Sequence, residues 1–504
     1  MRYGAPLSAG GYPDSAASAV DILPGMEASP EEPLDLAIVG AGVAGTSIAY
    51  RVQRARPDWS IVLFERTDRI GGRLHSVPIE GLDHPIELGG MRYVTSQPRV
   101  SALVDELQLR THPFDPIGGP DRSVLRGIVG GGAGDPEAGR GYQLSPEERG
   151  RSANDLAHEL FERIVPGFEG LDHDGFAERR ATATLGGRRL IDWSIGEARA
   201  TILSSEASRF LVDIFGYETG GNYFNASDHI EFLFSGGDPS AEARTPDEGM
   251  DSIPRAMAAR FEADGGRVEL DHDLVSIGLD GGATTLRFAN GRSVRAERTV
   301  LATPLPALRA IAGPSPMLRS AAFERVFDAV TGFPAMKLYL WFDRPWWRPA
   351  VPGIRTSTDL PPRKTFYFDG RPGSRSALLA MYADGLDLAP WIERYDGAAA
   401  GSPAPPAMLD LIQEHLHATH PDVRDIPPPI GSALMYWGAD PREVAWHFWR
   451  AGIVSDEILE VAPQPEPGLP LFLANEAFSR QQSWAEGALE AARAALERLS
   501  QTGA

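Results

Sequence analysis

Three glycines and one acid set the first chemical expectation. Gly40, Gly42 and Gly45 fall in the spacing G-x-G-x-x-G, and Glu65 follows twenty residues after the last of them. Such glycines let a backbone close on a pyrophosphate at a helix N-terminus, where unpaired N–H groups favour anions. A carboxylate at that distance accepts hydrogen bonds from a ribose diol and repels a 2′-phosphate. The motif alone is weak, but its setting strengthens it. The apolar run 36–39 reads as a buried strand, residues 46–56 have helical spacing with Ile48, Ala49 and Val52 on one side, and 61–64 is a second apolar strand ending at Glu65. This is a βαβ unit of the size a dinucleotide site needs.

Two further glycine pairs each precede an arginine. "RIGGRLHS" holds Gly71, Gly72 and Arg73, and "ELGGMRY" holds Gly89, Gly90, Met91 and Arg92. A glycine pair with an arginine can approach and neutralise a pyrophosphate. Arg92 has a second use. Its planar fork matches a carboxylate bidentately, and a buried guanidinium without an anion is costly. Arginine replaces lysine almost everywhere; Lys337 and Lys364 are the two exceptions. A compact ammonium and a planar guanidinium are not equivalent, so a surviving lysine marks a place where arginine does not serve. Lys337 lies inside the apolar run "AMKLYLWF". His415, His417 and His420 form "HLHATH", but the first two do not share a helical face and no acid has ligand spacing, so no metal site is expected. No H-E-x-x-H, G-x-S-x-G or Walker loop is present.

The elements that position these groups belong to a chain of 504 residues, too long for one ordinary core. Its composition, 42% hydrophobic and 23% charged, is that of a globular protein. A formal net charge of −21 repels nucleic acid and anionic membrane surfaces, so neither is expected as a partner. The chain has no cysteine, which excludes disulfides, thiolate metal sites, a cysteine nucleophile and a cysteine-linked flavin. That fits a reducing compartment, and a cytoplasmic location is expected. Residues 1–33 lack a basic start followed by an apolar run, and no long uncharged apolar stretch suggests a membrane helix.

Together the three glycine motifs resemble those of the flavin amine oxidase family, and the Met91–Arg92 pair points to its L-amino-acid oxidases, the bacterial ones above all. The likeness continues through "DEGMDSIPRAMAARF", "GGRVELDHDLVSIGLD", "RTVLATPLPALRAI" and "PLFLANEAFSRQQSWAEGALEAARAAL". It implies an α/β fold: an FAD-binding Rossmann-like domain with an inserted α+β substrate-binding domain and a helical domain. The corresponding boundaries are an N-terminal extension over 1–33, FAD-binding parts over 34–104, 241–314 and 465–504, a glycine-rich and mobile loop region over 105–145, a polar helical domain over 146–240, and a substrate-binding domain over 315–464.

The resemblance also implies roles. Noncovalent FAD would contact Gly40, Gly42, Gly45, Glu65, Gly72, Arg73, Gly89, Gly90, Met91, Arg92, Val275, Glu476, Trp484 and Ala488. The family's usual glycine before that glutamate is here Asn475. Arg92 and Tyr382 would grip a substrate carboxylate, Lys337 would hold a water against flavin N5, and Trp484, with Trp437 on a substrate-side loop, would wall the site. The reaction implied is hydride transfer from an L-amino acid to the flavin, with dioxygen as second substrate, giving a 2-oxo acid, ammonia and hydrogen peroxide. Rival outcomes are a decarboxylating amino-acid 2-monooxygenase, an amine or polyamine oxidase, and a redox-silent flavin scaffold. The tryptophans and phenylalanines lean toward large apolar substrates, and an acid lining the far pocket would instead favour lysine or arginine. A homodimer is common in such families.

Overall fold

The strand Leu36–Val39 is buried at every residue, and so is its neighbour Ile61–Phe64. Continuous apolar runs of this kind are what a parallel sheet covered on both faces requires. A computed structural model, which describes residues 32–115, 118–234 and 241–501, places them in a five-stranded parallel sheet. Its order is Arg267–Glu269, Ile61–Phe64, Leu36–Val39, Thr299–Leu301 and Leu471–Leu473. Strands from the beginning, middle and end of the chain therefore lie side by side, so one nucleotide-binding layer is assembled from three pieces of chain. The helices Val43–Ala55, Ser252–Ala263 and Ala485–Gln501 pack together along it. Ile48, Ala49 and Val52 face the sheet in the first helix, as their spacing predicts.

The second layer is a seven-stranded sheet. Its order is Gly431–Trp437, Ala335–Phe342, Ser376–Asp384, Lys364–Phe368, Arg355–Thr358, Arg122–Leu125 and Ile128–Gly131. All its strand pairs are antiparallel except that between Arg355–Thr358 and Arg122–Leu125. Two of these strands come from the stretch expected as a glycine-rich loop, so that expectation is corrected. "RSVL" and "IVGG" form a hairpin that pairs in register with Thr356–Thr358. Glycine, which is depleted in strands in general, fills the end of Ile128–Gly131, and the strand that extends the hairpin, paired with Arg122–Leu125, lies more than two hundred residues away.

Residues 153–234 form six α-helices among the described residues, from Ala153–Ile164 to Ala226–Phe234. Three of the helix starts, at Ser152, Ser194 and Ser204, are capped by a serine hydroxyl that accepts a backbone N–H, which satisfies donors the helix leaves open. The region is less polar than expected: Phe168, Phe176, Phe210 and Phe224 are fully buried in the largest core. The expected N-terminal extension lies outside the described residues except for its last two, Glu32 and Pro33.

Candidate active site

A cavity of about 760 Å³ runs from the glycine turn of the parallel sheet to the seven-stranded sheet and the helical region. At its nucleotide end the helix Val43–Ala55 begins at Gly42 with no side-chain cap and no acid in its first turn, so its open N–H groups are free for an anion. Gly42 and Gly72 approach each other closely: a Cβ on Gly72 would lie 3.2 Å from the Gly42 Cα. Arg69 braces this turn by donating to the Leu74 and Gly72 carbonyls. Glu65 ends its strand as expected. Its carboxylate accepts from Ala41 N at 2.8 Å and from the Thr67 backbone N–H and hydroxyl at 3.0 and 2.9 Å, which fixes it at the cavity wall. Val275 lines the same end beside Asp273 and Leu274. Backbone donors at a helix start, two facing glycines and a fixed carboxylate fit the pyrophosphate and ribose of FAD.

Two glycines do something other than face a cofactor. Gly45 does not line the cavity. A Cβ there would sit 1.9 Å from the Gly40 carbonyl oxygen, so Gly45 lets the helix close on the strand end. Gly89 lines the cavity, but a Cβ on it would meet the Arg73 carbonyl oxygen at 2.0 Å; its smallness joins two backbone segments. Gly90, Met91, Trp484 and Ala488 also line the cavity, with Trp484 set just after Ser483, which has a positive φ of 70°.

Arg73 and Glu476, expected to meet the cofactor separately, pair with each other on the cavity wall. Glu476 Oε1 also accepts from His447 Nδ1 at 3.0 Å. Burial alone would raise this carboxyl, but Arg73 and His447 outweigh it and hold it well below the usual carboxylate range. The unusual Asn475 is explained locally. Its Oδ1 accepts from Ala477 N at 2.9 Å while its amide donates to the Thr303 carbonyl, so it caps the short turn that carries Glu476.

The substrate end is built on one row of the seven-stranded sheet. Lys337 pairs with Tyr382 on one side, and Lys364 pairs with Tyr382 on the other. Residues directly opposite in antiparallel strands share a face, so both lysines of the chain flank the same tyrosine. Lys337 is buried, its Nζ donating to the carbonyls of Glu87, at 3.1 Å, and Gly89, and standing 4.7 Å from the centroid of the Tyr382 ring. Burial lowers its pKa from the usual lysine range, with Glu87 opposing and Arg92 adding to the fall. Glu87 is itself raised by burial, against donation from Met250 N and the Ser76 hydroxyl. "ELGGMRY" thus supplies the carbonyls that hold the lysine as well as Arg92.

Arg92 lies with its guanidinium 4.8 Å from the Phe114 ring centroid and 5.9 Å from that of Phe366, and in polar contact with the Tyr217 hydroxyl. Among the described residues no carboxylate pairs with it. Tyr382 lies edge-on to Tyr217 at 5.5 Å and to Trp446 at 6.1 Å, and burial raises its hydroxyl far above the usual range while Arg92 pulls it down. Trp446 is fixed by donating to the Thr219 hydroxyl at 3.0 Å. Sequence reasoning assigned no role to Tyr217, Trp446 or Lys364; for Lys364 the signal, its rarity, was in plain view. Trp437 ends a strand instead of lying on a loop, and its indole donates to the Leu88 carbonyl at 2.9 Å while its ring lines the cavity. The helical region closes the far side with Leu160, Phe161, Phe224 and Phe232, together with Arg199 and His229. Burial, aided by Arg199, holds His229 neutral with a pKa of about 3.

The three histidines of "HLHATH" do not gather. His420 is buried and bonded to the Tyr367 hydroxyl at 2.7 Å. Among the described residues the one trio with metal-type ligands is His84, His112 and Asp247. Its two imidazoles stack at 3.8 Å and 20°, so no ion can lie in both ring planes.

The chain is similar to proteins of known name along most of its length. It is 27% identical over 516 residues to Aplysianin-A of Aplysia kurodai, covering 93% of this chain and 90% of that protein. It is 28% identical to Achacin of Lissachatina fulica, over 83% and 84% of the two chains, and 27% identical to an L-amino-acid oxidase of Mus musculus, over 70% and 54%. These relatives are animal proteins, and they do not support the bacterial placement expected from the motifs. Among solved structures, a putrescine oxidase redesigned in its cofactor binding shares the fold, with a TM-score of 0.70, 17% identity, and 93% and 99% of the two chains covered. The family model for flavin containing amine oxidoreductases matches residues 43–499. With the glycine turn, the fixed Glu65 and the lysine row assembled on one cavity, and with no cysteine to form a cysteinyl link, the chain belongs to the FAD-binding family of flavin-containing amine oxidoreductases.

Proposed function

We propose that the protein oxidises the α-amine of an L-amino acid, removing a hydride from Cα and a proton from nitrogen to give an imino acid that water converts to a 2-oxo acid and ammonia. The observation that carries this reading is Arg92: a guanidinium on the cavity wall, packed on Phe114 and Phe366 and without a carboxylate partner among the described residues. A partly buried cation of this kind is most stable with an anion, and a planar fork binds a carboxylate through two parallel hydrogen bonds. Bound FAD supplies the hydride acceptor and returns the electrons to dioxygen, giving hydrogen peroxide.

The chain's own groups then have distinct tasks. Arg92 and the Tyr382 hydroxyl fix the carboxylate and so orient Cα–H, and positioning of this kind is worth many orders of magnitude in rate. Lys337, held on the Glu87 and Gly89 carbonyls, keeps a proton donor in the cavity wall next to Tyr382. Tyr217, Tyr382 and Trp446 form an aromatic lining that excludes water around the amine. An amine or polyamine oxidase would have no use for Arg92, and a substrate with a distal ammonium would need a free carboxylate in the cavity. The acids that line it, Glu65, Asp273, Glu443 and Glu476, are each engaged: Glu65 by backbone and Thr67, the others by Arg442, Arg66 and Arg73.

The products test this reading. Incubation with L-amino acids should yield 2-oxo acid, ammonia and peroxide in equal amounts, with D-amino acids inert. Release of carbon dioxide and an amide would assign the decarboxylating monooxygenase outcome instead, and turnover of simple amines in preference to amino acids would overturn the proposal.

A further inference from the structure

Lys364 is the second lysine of the chain and has no part in the reaction outlined above. It stands opposite Tyr382 in the sheet row that also carries Lys337, on the side away from Lys337. Its side chain is 5% exposed and lines the cavity, its stem lies against Gly216, and its ammonium rests 3.9 Å from the centroid of the Tyr217 ring. The same tyrosine's hydroxyl meets Arg92.

Its acidic neighbours are already committed. Asp384 accepts the Glu218 and Thr219 backbone N–H groups, both at 2.9 Å, and the Thr219 hydroxyl. Asp121 pairs with Arg355. Among the described residues no carboxylate forms an ion pair with Lys364. Lys337 is held by two backbone carbonyls, so Arg92 and Lys364 are left at the substrate end of the cavity, bridged by one tyrosine and with no carboxylate partner among the described residues, while every acid on the cavity wall is engaged elsewhere. Burial and the cations Arg355 and Arg92 disfavour charge on Lys364 while the cavity holds no anion, and a carboxylate brought in by a ligand would reverse that balance.

Resting on the reading of Arg92 as the α-carboxylate anchor, we infer that Lys364 selects substrates that carry a second carboxylate, so that the preferred substrates are acidic L-amino acids of the glutamate and aspartate type. The two cations both touch Tyr217, one at its ring and one at its hydroxyl, which places them within roughly 10 Å of each other by ordinary contact lengths. Charge-assisted contacts of about 2.8 Å at each end leave a gap that the short carbon chain between two carboxylates spans. A basic substrate side chain would meet Lys364 instead, and like charges brought together in a buried site are strongly disfavoured.

The test compares kcat/KM of the FAD-loaded protein for L-glutamate, L-aspartate, L-norvaline, L-methionine and L-lysine, in the wild type and in Lys364→Met and Lys364→Arg. The wild type should prefer the two acidic substrates and reject L-lysine. Lys364→Met should lower the ratio of L-glutamate to L-norvaline by about 30- to 3,000-fold, the loss expected for one partner of a buried charged pair, and Lys364→Arg should restore part of it. Oxidation of apolar or basic L-amino acids in preference to acidic ones would overturn the inference while leaving the L-amino-acid reading intact. So would a Lys364→Met protein that loses activity equally on all substrates, which would mean that Lys364 shares the α-carboxylate or only supports the fold. If no L-amino acid is oxidised, the underlying reading has failed. If Lys364→Met does not fold, the wild-type ranking and Lys364→Arg decide the question.

Discussion

Replacing Arg92 by methionine separates the carboxylate anchor from everything else the residue does. Methionine keeps an unbranched stem of similar length, so the contacts with Phe114 and Phe366 are largely retained. What is lost from the resting protein is a pair of cation–ring contacts at 4.8 and 5.9 Å, about 0.5–1 kcal/mol each, and the polar contact with the Tyr217 hydroxyl, about 1 kcal/mol, but no ion pair among the described residues. The fold should therefore lose no more than about 3 kcal/mol, a few degrees in Tm for a chain of this size. The loss in the substrate complex is larger. Truncating one partner of a buried, hydrogen-bonded charge pair costs about 2–5 kcal/mol, which is roughly 30- to several-thousand-fold in kcat/KM. The assay is anaerobic flavin reduction, followed at the flavin absorbance, with an L-amino acid and with the amine that lacks its carboxylate. The amino acid should slow by that factor in Arg92→Met, and the amine should change by less than about threefold, since it makes no contact with the anchor. Equal slowing of the two substrates, or a variant purified without its flavin, would refute the anchoring role.

Three further outcomes follow from the same structure. Gly89→Ala would drive a Cβ to 2.0 Å from the Arg73 carbonyl oxygen, so it should cost about 1–3 kcal/mol or more in urea unfolding and lower the flavin-to-protein absorbance ratio; an unchanged ratio and melt would refute the close approach. Lys337→Met strips two buried carbonyls, those of Glu87 and Gly89, of their shared donor, so it should lower stability by about 2–4 kcal/mol and slow the oxygen step of turnover more than the reductive step; separate measurement of the two half-reactions checks this. His420 is buried and neutral, with burial lowering its pKa to about 4 from about 6.5 unfolded. Its contribution is intact above pH 6.5 and is lost as the pH falls toward 4, because the unfolded chain takes up the proton first. Between pH 7 and 4.5 the wild type should lose about 2–3 kcal/mol more than His420→Gln, measured by urea unfolding, and equal losses would show that the histidine is not held neutral.

How much of this was legible in the sequence depends on how local each signal is. The turn through Gly40 and Gly42, the strand ends and Glu65 lie within one βαβ unit, where a few residues dictate the geometry, and they stand where the spacing predicts. Gly45 was right in position and different in purpose, because its role depends on the Gly40 carbonyl behind it and not on a ligand. The pairing of Arg73 with Glu476 joins residues 403 apart, and no spacing rule reaches that far. Glycines hide the strand Ile128–Gly131, and its hairpin mate Arg122–Leu125 takes a partner more than two hundred residues away. Lys364 is the most instructive omission. Its rarity is plain in the composition, but its meaning appears only when strand register sets it opposite Tyr382, with Lys337 on the other side. Trp437 shows the opposite case, an aromatic residue whose place at a strand end is fixed by one hydrogen bond to Leu88, from the same segment that holds Lys337.

The central claim is that a carboxylate on the substrate is recognised, and it is tested most directly by pairs of compounds that differ only in that group. Each of several L-amino acids and its decarboxylated amine would be mixed anaerobically with the wild-type FAD-loaded protein. Carboxylate recognition predicts fast flavin reduction by the L-amino acids and reduction slower by at least about 30-fold with the amines. Amines that reduce the flavin as fast as their parent amino acids would contradict it.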